Sequence, residues 1–199
     1  NRIKSTSDLP SCKTVLFDLT PHQIVKIAEN ELPDSYKKKY LKFKYGPGVF
    51  KMDFALSEAV PWTNSDCAGA GTLHLGGTFD EIAFSERETW KGNHPEKPYV
   101  LLSQPSKFDD SRAPEGKHTL WAYCHVPNGS DKDCSEEIIN QIERYAPGFR
   151  DIIISSHTMT APDFEAYNEN YIGGDINGGA QTFSQLIGRP VFQWDPYKL

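Results

Sequence analysis

Two stretches of strict alternation constrain this chain more than anything else in it. In Val49 to Leu56 the residues Phe50, Met52, Phe54 and Leu56 alternate with Val49, Lys51, Asp53 and Ala55. In Thr119 to Val126 the residues Leu120, Ala122, Cys124 and Val126 alternate with Trp121, Tyr123 and His125. A period of two is the mark of a strand with one face buried and the other not. The polar face of the first strand, with Lys51 and Asp53, must meet water or a cavity. The second face of the other strand, with Trp121, Tyr123 and His125, lines a cavity or packs beneath a helix, and the residues do not choose between these.

The remaining segments mix strands and helices. Thr14 to Leu19 reads as a short buried strand. Thr20-Pro21-His22-Gln23 then starts a helix, with Thr20 as cap, Pro21 at the first helical position and Gln23 closing a capping box. A helix after Pro33 carries Lys37, Lys38 and Lys39 and turns Tyr36, Tyr40 and Leu41 inward. Gly71 to Leu75 is a strand closed by Gly76-Gly77. Thr78-Phe79-Asp80-Glu81 fits a capping box before a helix that buries Ile82, Ala83 and Trp90. Tyr99 to Ser103 and Asp151 to His157 are further strands. Asp133 caps a helix from Cys134 to Tyr145, whose Ile138, Ile139, Ile142 and Tyr145 recur at helical spacing. The expectation is an α+β fold with a mixed, largely antiparallel sheet screened by helices.

Composition narrows the partners. Lys plus Arg number 21 against 27 Asp plus Glu, a formal net charge of -6. An acidic balance without a basic stripe argues against nucleic acid, and the lysine run 37–39 reads as a solvated helix face. No apolar run approaches the ~20 residues needed to cross a bilayer, so no transmembrane segment is expected, and peripheral membrane contact is left open. Cys12, Cys67, Cys124 and Cys134 show neither a Cys-x-x-Cys pair nor metal spacing, which favours free thiols, a cytoplasmic protein and no metal site.

Two glycine-rich junctions carry what chemistry the residues suggest. In Gly173-Gly174-Asp175-Ile176-Asn177-Gly178-Gly179, four glycines in seven positions permit a tight loop or close approach to a ligand, with Gly174, Asp175 and Asn177 as contacts. It has neither the spacing of a phosphate-binding P-loop nor that of a dinucleotide fingerprint. His74 stands at a strand end just before a helix N-terminus, as a structural histidine or a ligand contact. No catalytic nucleophile, acid or base can be assigned from the residues.

The order of the motifs is more specific than any one of them. Val-Leu-Phe-Asp-Leu-Thr-Pro (15–21), Tyr-Gly-Pro-Gly-Val-Phe-Lys-Met-Asp-Phe-Ala-Leu (45–56) and Leu-His-Leu-Gly-Gly-Thr (73–78) come first. Ser-Arg-Ala-Pro-Glu-Gly-Lys-His-Thr-Leu-Trp-Ala-Tyr-Cys-His-Val-Pro (111–127), Ala-Pro-Gly-Phe-Arg-Asp (146–151) and Tyr-Ile-Gly-Gly-Asp-Ile-Asn-Gly-Gly (171–179) follow. In this order they resemble the middle and later portion of phytoene-dehydrogenase-like FAD-dependent oxidoreductases, a branch of the amine-oxidase-type flavoproteins. The resemblance implies a fragment that is mainly a substrate-binding domain (21–199), reached through an exit strand (1–20) from an FAD-binding domain of the same polypeptide. It implies that Asp18, Leu19 and Thr20 lie near the FAD. Lys51, Asp53, His74, Trp121, Tyr123, His125, Gly174, Asp175 and Asn177 would then face a small apolar substrate, oxidised by hydride transfer to flavin. The glycine fingerprint that positions the FAD pyrophosphate is absent, and residue 1 is Asn rather than Met. This chain is therefore expected to be a piece that holds no FAD and does not turn over alone. The alternative is a stand-alone binding module that keeps the fold and takes an apolar ligand.

Overall fold

The computed structural model describes residues 2–188, 190 and 191. Both alternating stretches form strands. Strand β1 (Gly48–Leu56) and strand β4 (His118–Val126) pair antiparallel at the centre of a five-stranded sheet. Around them lie β2 (Thr72–Leu75), β3 (Val100–Ser103) and β5 (Ile153–Met159), in the order β2-β3-β4-β1-β5. The fold is α+β as expected. Its sheet, expected to be largely antiparallel, is antiparallel at every pairing.

One sheet face is the core. Phe50, Met52, Phe54 and Leu56 from β1, Val100 and Leu102 from β3, and Leu120, Ala122, Cys124 and Val126 from β4 are all buried. Helix α5 (Ser135–Glu143) closes this face with Ile138, Ile139 and Ile142. Phe149, from the turn after it, meets Phe54 edge-on at 5.3 Å. Burying each such side chain contributes about 1.5–3 kcal/mol, so this layer sets the register of β1 against β4. A one-residue slip would turn Lys51 and Asp53 into the core. Cys134 is the N-cap of α5, and Asp133 accepts a bond from the Ser135 amide (2.8 Å).

The small helices depart from the sequence reading in three places. Residues 14–19 form no strand and are largely exposed, Leu16 being 91% so. Apolar composition favours a strand there, yet no sheet edge lies alongside among the described residues to supply its ladder. Helix α1 (Pro21–Ile27) begins at Thr20 as expected, but the Thr20 hydroxyl caps nothing. In α2 (Asp34–Tyr40) Tyr36 is buried, whereas Leu41 falls beyond the last turn and is exposed.

Helix α4 (Phe79–Trp90) has its capping box: the Thr78 hydroxyl accepts from the Glu81 amide and the Glu81 carboxylate accepts from the Thr78 amide. The side it buries is polar. Ser85 accepts from the Tyr99 amide (2.9 Å), and Thr89 donates to the Ser85 carbonyl (3.1 Å). Trp90, expected inside, is 52% exposed, with Ile82 and Ala83 half-buried. Short hydroxyl side chains let the helix dock closely on the start of β3, and this leaves Phe79, Phe84 and Trp90 on the outer turns. A short α3 (Ser65–Ala68) precedes β2, α6 (Ala161–Tyr167) follows β5 and α7 (Phe183–Gly188) follows the glycine loop. No helix among the described residues is long and apolar enough to cross a membrane. All four cysteines are free thiols.

Candidate functional site

The pairing register determines where the expected site residues go. Opposite partners in an antiparallel ladder project to the same face. Lys51 faces Tyr123 and Asp53 faces Trp121 across β1 and β4. Tyr123 faces Leu101, and Leu101 faces His74, across β3 and β2. Lys51, Asp53, His74, Trp121, Tyr123 and His125 therefore share the second face of the sheet, opposite the core. His157 of β5, not singled out in the sequence, joins them opposite Asp53.

This face divides into regions. At the far edge, His74 Nδ1 and the Tyr99 hydroxyl are 2.6 Å apart, two strands away from β4. Along β4 the Trp121 and Tyr123 rings are parallel, with centroids 6.3 Å apart. A cleft of about 430 Å³ beside them is lined by Asp53, Arg112, Trp121, Ser155 and His157. Lys51 is ion-paired with Asp53 on the same strand.

The other end of β4 opens into a polar cavity of about 260 Å³ lined by Glu86, Trp90, Tyr123, His125, Asp175 and Asn177, among others. Helix α4 crosses here and places Glu86 against His125, with Oε2 and Oε1 at 2.8 and 3.0 Å from Nδ1. A carboxylate only accepts, so the imidazole must donate from Nδ1. Burial, followed by the neighbouring Tyr99 and Glu86, pushes the Tyr123 phenol up, so it stays an O–H donor. Glu86 escapes sequence reasoning: 39 residues separate it from His125, and a lone acid on an amphipathic helix carries no signal.

The glycine loop reaches this cavity from the side, and two of its three expected contacts are structural. Asp175 is fully buried, and its carboxylate accepts from the amides of Gly46 (2.7 Å), Asn177 (2.8 Å) and Gly179 (2.9 Å). It fastens the loop to the turn before β1 instead of waiting for a ligand. Gly174 has φ +79°, and a Cβ there would stand 2.4 Å from the Ala161 Cβ, so its role is close packing on α6. Asn177 keeps an exposed side chain at the rim.

The opposite flank of the same loop lines a larger cavity, of about 640 Å³. Asp18, Leu19 and Thr20 meet Asn170, Tyr171 and Gly178 there. Asn170 accepts from the Thr20 amide at 2.8 Å. Thr20 lines this cavity; behind it Thr20 Oγ1, His22 Nε2 and the Tyr45 hydroxyl are buried without a well-formed hydrogen bond among the described residues, the Thr20 and Tyr45 side chains lying against each other. The His22 and Tyr45 rings meet edge-on at 4.9 Å. Buried polar atoms are ordinarily paired, and an orphan costs on the order of 1–3 kcal/mol. Of the three only Thr20 lines the cavity, so the polar edge of a ring system such as that of FAD would meet Thr20 and Asn170 there. Nothing among the described residues forms a pyrophosphate cradle. No group of His, Cys, Asp and Glu that could hold a metal ion occurs among them either.

No family model matches the chain. It is similar to the mouse (Mus musculus) pyridine nucleotide-disulfide oxidoreductase domain-containing protein 2, at 32% identity over 140 residues, covering 64% of this chain and 24% of that protein. The Rattus norvegicus counterpart is 25% identical over 209 residues, covering 94% of this chain and 35% of its own. The 4,4'-diapolycopen-4-al dehydrogenase of Metabacillus indicus is 33% identical over 112 residues, covering 53% and 22%. The chain thus spans about a quarter to a third of the length of the curated relatives it matches. Among solved structures, an oxidoreductase from Methanosarcina mazei aligns with a TM-score of 0.38 at 14% identity, over 70% of this chain and 28% of that one. A putrescine oxidase variant aligns with a TM-score of 0.42 at 12% identity, over 78% and 29%. Those structural likenesses are too slight to argue from, and the sequence relatives carry the relationship. The chain is thus similar in sequence to proteins named as oxidoreductases and dehydrogenases, in keeping with the flavoprotein resemblance of its ordered motifs.

Proposed function

We propose that this chain is the substrate-domain portion of an FAD-dependent oxidoreductase, with residues 1–20 leading in from the FAD domain of the same polypeptide and 21–199 binding the substrate. One observation carries the reading. The glycine loop is a thin partition, with Asp18, Leu19 and Thr20 in a cavity on one flank and Tyr123, His125 and Asn177 in a cavity on the other. A cofactor edge on the first side and a substrate on the second would meet at the loop.

FAD, when bound, supplies the hydride chemistry, and the protein supplies position and environment. In this chain Thr20 and Asn170, which line that cavity, would satisfy polar atoms at the ring edge. The Trp121 and Tyr123 faces would hold the body of a largely apolar small molecule and exclude water from it. The chain by itself lacks a pyrophosphate cradle among its described residues, and we propose that it neither retains FAD nor turns over alone. The reading is tested by purifying the product of the complete gene and recording its spectrum. A bound flavin band is expected, and a colourless, flavin-free product would overturn it in favour of a binding module. Stoichiometric FAD on the isolated chain would refute the placement of the cofactor boundary.

A further inference from the structure

We propose that Glu86 and His125 form a proton-accepting pair, and that the substrate end seated in their cavity carries a hydroxyl group. This rests on the substrate-side reading above and goes beyond it by naming the chemistry of the bound end.

The geometry leaves one acceptor and one donor free at the same place. Glu86 accepts a hydrogen bond from the His125 Nδ1–H, which leaves the Nε2 lone pair free in the neutral ring. Nε2 makes no hydrogen bond among the described residues. The Tyr123 hydroxyl, two positions back on the same face, also makes none there. Both side chains line the cavity and their ring centroids are 6.1 Å apart. No lysine or arginine among the described residues lines it, so nothing in that lining is built to hold a carboxylate or phosphate. A purely hydrocarbon group would strip water from Nε2, the phenol and Asn177 and return nothing, a loss of roughly 1–3 kcal/mol per group. A hydroxyl satisfies the first two: its O–H donates to Nε2, and its oxygen accepts from Tyr123. The stacked Trp121 lies on the same face about 13 Å along the strand from His125, at roughly 3.3 Å per residue. A molecule with an apolar body and one hydroxyl end spans that distance.

The pair also has work in an oxidation. When a carbinol becomes a carbonyl, its O–H bond breaks toward Nε2, giving an imidazolium next to the Glu86 carboxylate. The C–O bond becomes C=O, and the C–H bonding pair leaves with its hydrogen as hydride to an oxidised flavin. Glu86 acts through the imidazole and is a positioning residue. It fixes the tautomer and stabilises the charge that forms.

The test is nitrogen-detected NMR of the histidine rings in this chain at about pH 8, above the ordinary imidazole range. The probes are 1-octanol and 1-methoxyheptane, which have the same heavy atoms but only the first an O–H. His125 is expected as the Nδ1–H tautomer. 1-Octanol should move its Nε2 resonance toward the hydrogen-bonded range, and the ether should not. E86Q, whose side-chain oxygen still accepts from Nδ1, should keep both properties, while E86L should lose the tautomer preference and the alcohol response together. An Nε2–H tautomer in the unsubstituted chain, or equal shifts with ether and alcohol, would overturn the proposal, and either result holds even if E86L fails to fold. None of these measurements involves flavin, so a colourless full-length product would sink the functional reading above and leave this result in place.

Discussion

Removing the Asp175 carboxylate tests whether the glycine loop is held by one buried acid. Asp175 is 0% exposed, and three backbone amides point at it, from Gly46, Asn177 and Gly179 at 2.7, 2.8 and 2.9 Å. Asp175→Ala orphans all three, each worth about 1–3 kcal/mol when left unpaired. Water entering the vacated space returns part of that, so the net loss is about 3–5 kcal/mol for the three orphaned donors. With a urea dependence of about 2 kcal/mol per molar, the unfolding midpoint should fall by about 2 M. Asp175→Asn keeps the shape but turns one donor against an amide donor, and should cost about half as much. Hydrogen exchange supplies the local readout. The Gly46, Asn177 and Gly179 amides should lose protection in both variants, while Val49 and Val126 in the β1–β4 ladder keep theirs relative to global unfolding. Stability within about 0.5 kcal/mol of the parent, or unchanged protection at those three amides, would show that the acid does not hold the loop and return Asp175 to the pool of ligand contacts.

Gly174→Ala should destabilise by more than about 2 kcal/mol, since φ +79° and a 2.4 Å approach to Ala161 coincide there. Gly129→Ala, with φ +75° and nothing within 4 Å, should cost about 1 kcal/mol from the backbone alone; equal losses in a thermal melt would contradict the packing account. Asp109, bonded first by the Ser111 hydroxyl and then by Arg112, is held at about 2, against an ordinary 3.8. Because the folded-state value is depressed, its contribution is complete above the unfolded value and disappears as pH falls through 3.8 toward about 2. The Ser111 amide resonance should titrate over that window, and should stop doing so in Asp109→Asn. Among the thiols, exposed Cys12 should react first with a maleimide. Cys124 should react last, because hydrogen bonding with Cys134 and full burial hold its thiol well above the ordinary range. Mass mapping of a time course decides the order.

What could be read from the chain and what could not follow from one distinction. The alternation in 49–56 and 119–126 specifies which side chains are buried, because solvent exclusion acts residue by residue. It does not specify which strand lies beside which, and that pairing alone puts His74, Lys51, Trp121 and His157 on one face. Residues 14–19 show the same limit from the other side: an apolar run has strand propensity, but a strand needs a partner for its amides. Helix α4 misleads for a different reason, since Ser85 and Thr89 are buried through hydrogen bonds to the Tyr99 amide and the helix's own backbone, and no hydrophobic pattern registers that.

The same distinction explains where the expected site residues came to lie. Asp175 and Gly174 looked like ligand contacts because an acid among so many glycines is unusual, yet their partners, Gly46 and Ala161, are far off in sequence and use them up. Tyr123 and His125 looked ambiguous because a strand face says nothing of what covers it. Once α4 lays Glu86 on Nδ1, the imidazole has one nitrogen committed and the other open to a cavity. Here the second nitrogen and the Tyr123 phenol are left facing the same small volume. That shared volume, more than any motif, is what the proposed hydroxyl site rests on.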